Sequence, residues 1–286
     1  MSQDFERFEM VNNQPKLQVP ENACDCHMHV YESRFPLAPT AISKPPEAPV
    51  EEYKKVQRRL GLTRTVVVQP SVYGTDNRCT LEAMAQIGTG ARGVVVVDQT
   101  VSNAELRKLT DAGVRGIRFH MMRGGILGWD ILEEMAARVH DFGWHVQMQL
   151  DGRTLPEYET VLKRLPGYLV IDHVGKFLEP VTTAHPGFQT LLRLIDTGRC
   201  WVKLSAPYEV SRSGPPLYED VGRLAKALVS VAPERMVWAT NWPHPSEPRA
   251  HLPNEADLLN LLLYWVEADI SRSKILTDNP AELYGF

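Results

Sequence analysis

The segment Gly93–Met121, GVVVVDQTVSNAELRKLTDAGVRGIRFHM, decides how the rest of the chain is read. It opens on Gly93–Asp98, a short continuous run rich in valine, the pattern of a strand covered on both faces in a parallel sheet. Helical spacing follows over Asn103–Asp111. Ser102 stands at the start with Glu105 three residues on, a capping-box arrangement that satisfies the free N–H groups of a first turn. AspAlaGly at 111–113 stops the helix, and the chain turns into a second apolar run at Gly116–Met121. This is one strand–helix–strand unit.

The same unit repeats on either side. Comparable runs occur at Ala23–Val30, Thr65–Gln69, His145–Leu150, Leu169–His173, Trp201–Ser205 and Met236–Thr240, making eight candidate strands. Helical patterns fill the intervals, among them Trp129–Phe142, Leu155–Leu165, Phe188–Asp196, Tyr218–Val231 and Asp257–Ala268, and the tail from Ser271 to Phe286 adds one more short helix. Eight alternations in 286 residues, with no long linker, predict a single α/β domain, a (β/α)8 TIM barrel over residues 21–286, preceded by a polar lead-in at 1–20. A doubly wound sheet would use fewer strands and would want a GxGxxG turn after strand one, which is missing.

Composition narrows the function. With 31 basic against 35 acidic residues the net charge is −4, which gives no electrostatic reason to expect nucleic acid or an anionic membrane as a partner. No apolar run reaches the ~18 residues that span a bilayer. The first residues lack the order of a signal peptide, and Cys24, Cys26, Cys79 and Cys200 show no CxxC pattern, so a reducing cytoplasm is the expected compartment. The oligomeric state is not legible.

Barrel enzymes build their sites where the strands end. Strand one ends in His27 and His29, two apart and so on one face, suited to a metal or to polar contact with a substrate. Strand four offers Arg118 and His120; a buried guanidinium needs a partner, either an anionic substrate group or an internal carboxylate such as Asp151. Strand five presents Gln147 and Gln149, neutral amides able to donate and accept toward hydroxyls. Strand six gives His173 and then Lys176. Strand seven gives Lys203 and Ser205, and strand eight ends with Asn241 and His244.

DCHMHV at 25–30, QPSVYGTDNR at 69–78, GVRGIRFH at 113–120, VIDHVGK at 170–176, VKLSAPYEVS at 202–211, WATNWPHP at 238–245 and LTDNPAELYGF at 276–286 follow one another in order. Together they resemble the amidohydrolase superfamily, in its lactone-processing branch, the 2-pyrone-4,6-dicarboxylate lactonase-like enzymes, from about residue 18 to the end. The superfamily's metal site takes HxH from strand one, a carboxylated Lys or Glu from strand four, His from strands five and six, and Asp from strand eight. Here His27, His29 and His173 match, whereas Arg118 and His120, Gln149 and Asn241 do not. No carboxylate ligand is expected to remain, and the resemblance implies a site without metal and without cofactor.

The resemblance also implies that the strand-eight Asp of hydrolytic members activates water. An amide cannot accept a proton at neutral pH, so Asn241 leaves three options: a hydrolase with another base, a sugar-acid-binding pseudoenzyme, or acyl transfer to a nucleophile the substrate brings. In an aldaric δ-lactone, the hydroxyl next to the ring-closing oxygen can attack the carbonyl and give the γ-lactone, with the large effective molarity of an intramolecular reaction. Glu209 and Lys176 stand where pyrone lactonases carry arginines, which suits a polyol with one free carboxylate. The expected ligand is therefore a small carboxylated lactone, and the expected reaction is conversion of D-galactaro-1,5-lactone to the 1,4-lactone, with hydrolysis as the alternative. In this reading His27, His29 and His173 polarise the carbonyl or shuttle the proton, and Asn241 positions the attacking hydroxyl. Arg118 and Lys176 hold the distal carboxylate, with Gln149, His120, Tyr73 and His244 as further contacts.

Overall fold

A computed structural model describes residues 14–248 and 251–286. Eight parallel strands pair in sequence order: β1 (Cys24–Met28), β2 (Arg64–Val68), β3 (Ala91–Val95), β4 (Val114–His120), β5 (His145–Gln149), β6 (Leu169–Ile171), β7 (Cys200–Leu204) and β8 (Met236–Trp238). The ring closes just past the ends of β1 and β8, where Asn241 N donates to His27 O at 2.9 Å and His29 N to Trp242 O at 2.8 Å. The closing seam thus sets the histidine pair beside the strand-eight amide. This is the (β/α)8 barrel the alternation predicts.

Two residue sets fill it. Cys24, Cys26, Val66, Val68, Val94, Val170, Trp201 and Val237 form one buried cluster, stoppered by Leu283 and Tyr284 from the C-terminal helix. The apolar stripes of the surrounding helices pack on the other strand face, through residues such as Val67, Val95, Phe119 and Met148. Strict alternation along β1 would put Asp25 on the same side as His27. A register shift between Asp25 and Met28 breaks that rule. Asp25 instead accepts from the Tyr53 hydroxyl on the helix Val50–Leu60, from both Thr240 donors and from His27 N. That fully buried carboxyl ties β1, β8 and a helix together.

Local signals read from sequence hold, with shifted boundaries. Ser102 caps Asn103–Asp111 by accepting from Glu105 N at 3.1 Å. β3 ends at Val95 because Asn77 takes over beyond it, its side chain bonding both Val96 N and Val96 O in place of a neighbouring strand. The pattern over Asp257–Ala268 is two helices, Glu255–Asn260 and Leu262–Trp265. The tail also holds two, Asp269–Leu276 and Asp278–Tyr284, separated at Thr277, whose φ of −127° is not helical. Pro280 falls in the first turn of the last helix, where its missing N–H costs nothing. Of the polar lead-in at 1–20, residues 1–13 lie outside those described; its end is pinned by Lys16 N and Leu17 N donating to Asn260 Oδ1.

Candidate active site

Left-handed backbone marks where strands give way to the mouth. His173, Val174, Lys176, Asn241 and His244 all hold positive φ, between 42° and 61°. For residues other than glycine this conformation is strained, and it persists only where the surroundings enforce it.

At the centre, His27 Nε2 lies 3.2 Å from His29 Nε2, and His29 Nδ1 lies 2.7 Å from Val68 O. A carbonyl only accepts, so His29 carries its proton on Nδ1, and its Nε2 accepts from His27 Nε2–H. His27 Nδ1 is then an acceptor, and Lys203 Nζ stands 3.2 Å from it. Lys203 also donates to Cys26 O and to Gln147 Oε1 and lies 3.5 Å from Asp172 Oδ1. Burial, with the nearby Lys203 charge, holds His27 well below the ordinary imidazole value. Burial, with Arg118, lowers His29 to about 3. Both rings are neutral at pH 7, and neither has an N–H wholly to spare for a substrate carbonyl. That narrows the role expected of them from sequence.

His173 differs. Its Nδ1 lies 2.8 Å from Ser205 Oγ, while Nε2 has no partner among the described residues. Burial brings it down to about 4 despite Glu209 and Asp172 nearby. It is the one histidine of the three with a nitrogen still to offer.

Arg118 is buried, and its partners are neutral: Nη1 donates to Gln69 O at 2.8 Å and Nη2 to Gln149 Oε1 at 2.6 Å, while Nε has no partner. Asp151, the internal carboxylate considered as its alternative partner, pairs with Arg153 instead. Lys176 is a correction in the other direction. Its ammonium is bonded to Glu209, so it meets a substrate as half of an ion pair rather than as a free cation. His120, brought to about 4 by burial and by Arg118, stands beside that guanidinium with Nδ1 unpartnered. Tyr73 turns its hydroxyl onto the backbone N–H and C=O of Glu32 and so braces the loop after β1. His244 has both nitrogens engaged, Nδ1 with Tyr208 Oη at 2.9 Å and Nε2 with Glu255 Oε1 at 3.2 Å.

Two carboxylates overturn the expectation that none remains near the histidines. Asp172 lies 3.4 Å from His27 Nδ1 and accepts from Gln147 Nε2 at 3.1 Å. Burial pushes Asp172 up, but Lys203 and His27 outweigh it and hold it well below the usual range. Glu209 Oε1 accepts from Asn241 Nδ2 at 3.2 Å and from Ser246 Oγ at 2.7 Å. Burial also opposes its charge, yet Lys176 and His173 bring it to about 2.

His27, Asp172 and His173 place ligand atoms within 4.8 Å of one another, so a divalent ion has to be considered. The donor set does not fit one. The Lys203 ammonium already neutralises Asp172 and bonds the lone pair of His27 Nδ1, and His27 Nε2 is spent on His29. A cation placed there would face Lys203 and Arg118 in a buried site, where like charges repel strongly.

A parallel barrel with a histidine pair ending its first strand, and with a polar set at the strand ends, defines an enzyme of the amidohydrolase type. The chain matches the amidohydrolase family over residues 24–286 and belongs to it. It is 35% identical to the D-galactarolactone isomerase of Agrobacterium fabrum, covering 94% of this chain and 93% of that one. It is 33% identical to the 2-pyrone-4,6-dicarboxylate hydrolase of Comamonas testosteroni, covering 95% and 93%. An apo crystal structure of an Agrobacterium tumefaciens protein superposes with a TM-score of 0.89 at 34% identity, over 95% of this chain and 98% of that chain. The chain is a lactone-processing member of its family. Among the described residues no helix is long and apolar enough to cross a membrane.

Proposed function

We propose that this chain is a metal-independent isomerase that converts D-galactaro-1,5-lactone to the 1,4-lactone by intramolecular acyl transfer. The observation that carries the reading is Asn241. At the seam where β1 meets β8, the mouth presents an amide whose Nδ2 is fixed by Tyr208 and Glu209, leaving Oδ1 to accept from a substrate hydroxyl. Arg118, a buried guanidinium without a carboxylate partner, takes the free carboxylate of the substrate through a charge-assisted bond. Gln149 and His120 flank that position. His173, with Ser205 donating to Nδ1, turns Nε2–H toward the carbonyl oxygen, where charge develops as the tetrahedral intermediate forms. The attacking hydroxyl is tethered to the carbonyl it attacks, so the site need not order a water.

Hydrolysis is the second reading, and Glu209 is what favours it, as a carboxylate beside Asn241. Its proton affinity argues against it: burial would raise it, but Lys176 and His173 outweigh burial and hold it near 2, so it takes a proton from water poorly. Proton NMR of the product from a chelator-treated sample given galactaro- and glucaro-lactones separates the readings. A change of ring size supports the isomerase; an open dicarboxylate as the enzymatic product would replace it with the lactonase.

A further inference from the structure

The isomerase reading leaves one step without an agent, since the attacking hydroxyl must lose a proton and Asn241 cannot take it. A chain of hydrogen bonds leaves the mouth at this point. Glu209 is ionised and can only accept, which fixes the Asn241 amide with Nδ2 toward Glu209 and Tyr208. Tyr208 Oη accepts from Asn241 at 2.9 Å, so its own proton is free for His244 Nδ1, also at 2.9 Å. With Nδ1 accepting, His244 carries its proton on Nε2 and donates it to Glu255 Oε1 at 3.2 Å. The other Glu255 oxygen is bonded to Arg59, which keeps the carboxylate charged. Every direction in the chain follows from the two carboxylates at its ends.

The order is hydroxyl, imidazole, carboxylate, the logic of an activated nucleophile with a phenol in the hydroxyl position. His244 and Glu255 are buried, whereas Tyr208 is half-buried and lines an open groove of about 560 Å³ with Gly214, Pro215, Glu247 and His251. Both Asn241 and His244 hold left-handed backbone, at φ 57° and 61°, which brings their side chains onto one phenol from positions three residues apart.

We propose that Tyr208 is the catalytic residue that receives the proton of the attacking hydroxyl, with His244 and Glu255 as the positioning residues behind it. This rests on the isomerase reading. As the hydroxyl swings its proton from Asn241 Oδ1 to Tyr208 Oη and its oxygen bonds to the lactone carbon, the O–H bond breaks and the proton passes to Tyr208, while the phenol gives its own to His244 Nδ1. The imidazolium is balanced by Glu255. When the intermediate collapses, the ring C–O bond breaks and the departing oxygen takes a proton from Tyr208 as His244 returns the one it held. Both oxygens are bonded to one tetrahedral carbon, so a single relay serves both, and the enzyme ends as it began.

The test is Tyr208→Phe, which keeps the ring and removes the relay, with Glu255→Gln as a second variant and circular dichroism to confirm folding. The expected result is a kcat lowered by about 100-fold or more with KM within a few-fold, and a smaller solvent deuterium isotope effect. A folded Tyr208→Phe that keeps wild-type kcat overturns the proposal. So does a nitrogen-15 spectrum of the wild type that shows His244 protonated on Nδ1, a readout that needs no turnover. Failure of the isomerase reading looks different: wild type releases open acid in place of the γ-lactone, while Tyr208→Phe still costs the same factor.

Discussion

The Lys203 ammonium lies 3.2 Å from His27 Nδ1 and 3.5 Å from Asp172 in the closed interior of the barrel. It fixes the tautomer of His27, and through it the pairing of His27 with His29. It also supplies the positive charge that balances Asp172. Lys203→Met should strand that carboxylate and destabilise the fold by about 3–5 kcal/mol, the usual cost of removing one partner of a buried ion pair. Lys203→Met with Asp172→Asn should recover part of the loss. Urea denaturation midpoints of the three proteins check this, and a single variant as stable as wild type contradicts it.

Arg118 bonds only neutral oxygens, which leaves its charge available for the substrate carboxylate in the proposed reaction. Arg118→Met should raise KM for a lactone bearing a free carboxylate by about 10- to 100-fold, since a charge-assisted bond is worth roughly 1.5–3 kcal/mol. A neutral aldonolactone should be nearly indifferent. Steady-state kinetics on both decide the matter; equal losses would assign Arg118 to the scaffold.

Burial, with Arg118 and Lys176 among the neighbouring charges, keeps the imidazoles neutral, His29 to about 3 and His173 to about 4. The acidic limb of kcat/KM should therefore fall near 4 rather than near the ordinary 6.5. Stability should move with pH in the same direction. Between 6.5 and about 4 the unfolded chain binds protons that folded His173 refuses, so stability declines as pH falls through that window. Each such imidazole costs up to ~1.4 kcal/mol per pH unit there. Thermal melts at pH 7 and pH 5 should show the lower midpoint at pH 5; equal midpoints contradict the assignment.

What the sequence made legible follows from what periodicity can carry. Val- and Ile-rich runs report burial on both faces, so all eight strands could be found. HxH at a strand end reports two side chains on one face, so His27 and His29 could be placed together. Asp172 is hidden by the more conspicuous histidine that follows it, and by its extended backbone, which lets it read as one more residue of the strand; the chain leaves strand geometry only at His173. Tyr208 and Glu209 sit on a short 3-10 turn, Pro207–Glu209, that has no period to read. Lys203 was a visible candidate, but its bond to a histidine 176 positions away is a property of ring closure. The register shift in β1, which turns Asp25 away from the site, leaves no signal in an alternating stretch.

Asn241→Asp would put a carboxylate about where the Asn241 amide now stands, 3.2 Å from Glu209. Two carboxylates that close cannot both ionise readily, so the new group should titrate above the ordinary range and act as a base once ionised. Hydrolysis to the open dicarboxylate should appear beside isomerisation and grow as pH rises from 5 to 8. Product ratios across that range are the measurement. A folded variant that isomerises and yields no open acid at any pH would mean that something other than Asn241 keeps water out.

In the proposed reaction the acyl group passes between two oxygens of one substrate without water or metal. Wild-type enzyme stripped with a chelator, its metal content checked by elemental analysis, can be given D-galactaro-1,5-lactone in oxygen-18 water and the products weighed by mass spectrometry. The expected result is full activity and a 1,4-lactone with no label above the enzyme-free background. An open acid carrying one oxygen-18, or turnover that disappears with a stoichiometric metal and returns on adding it back, would contradict it.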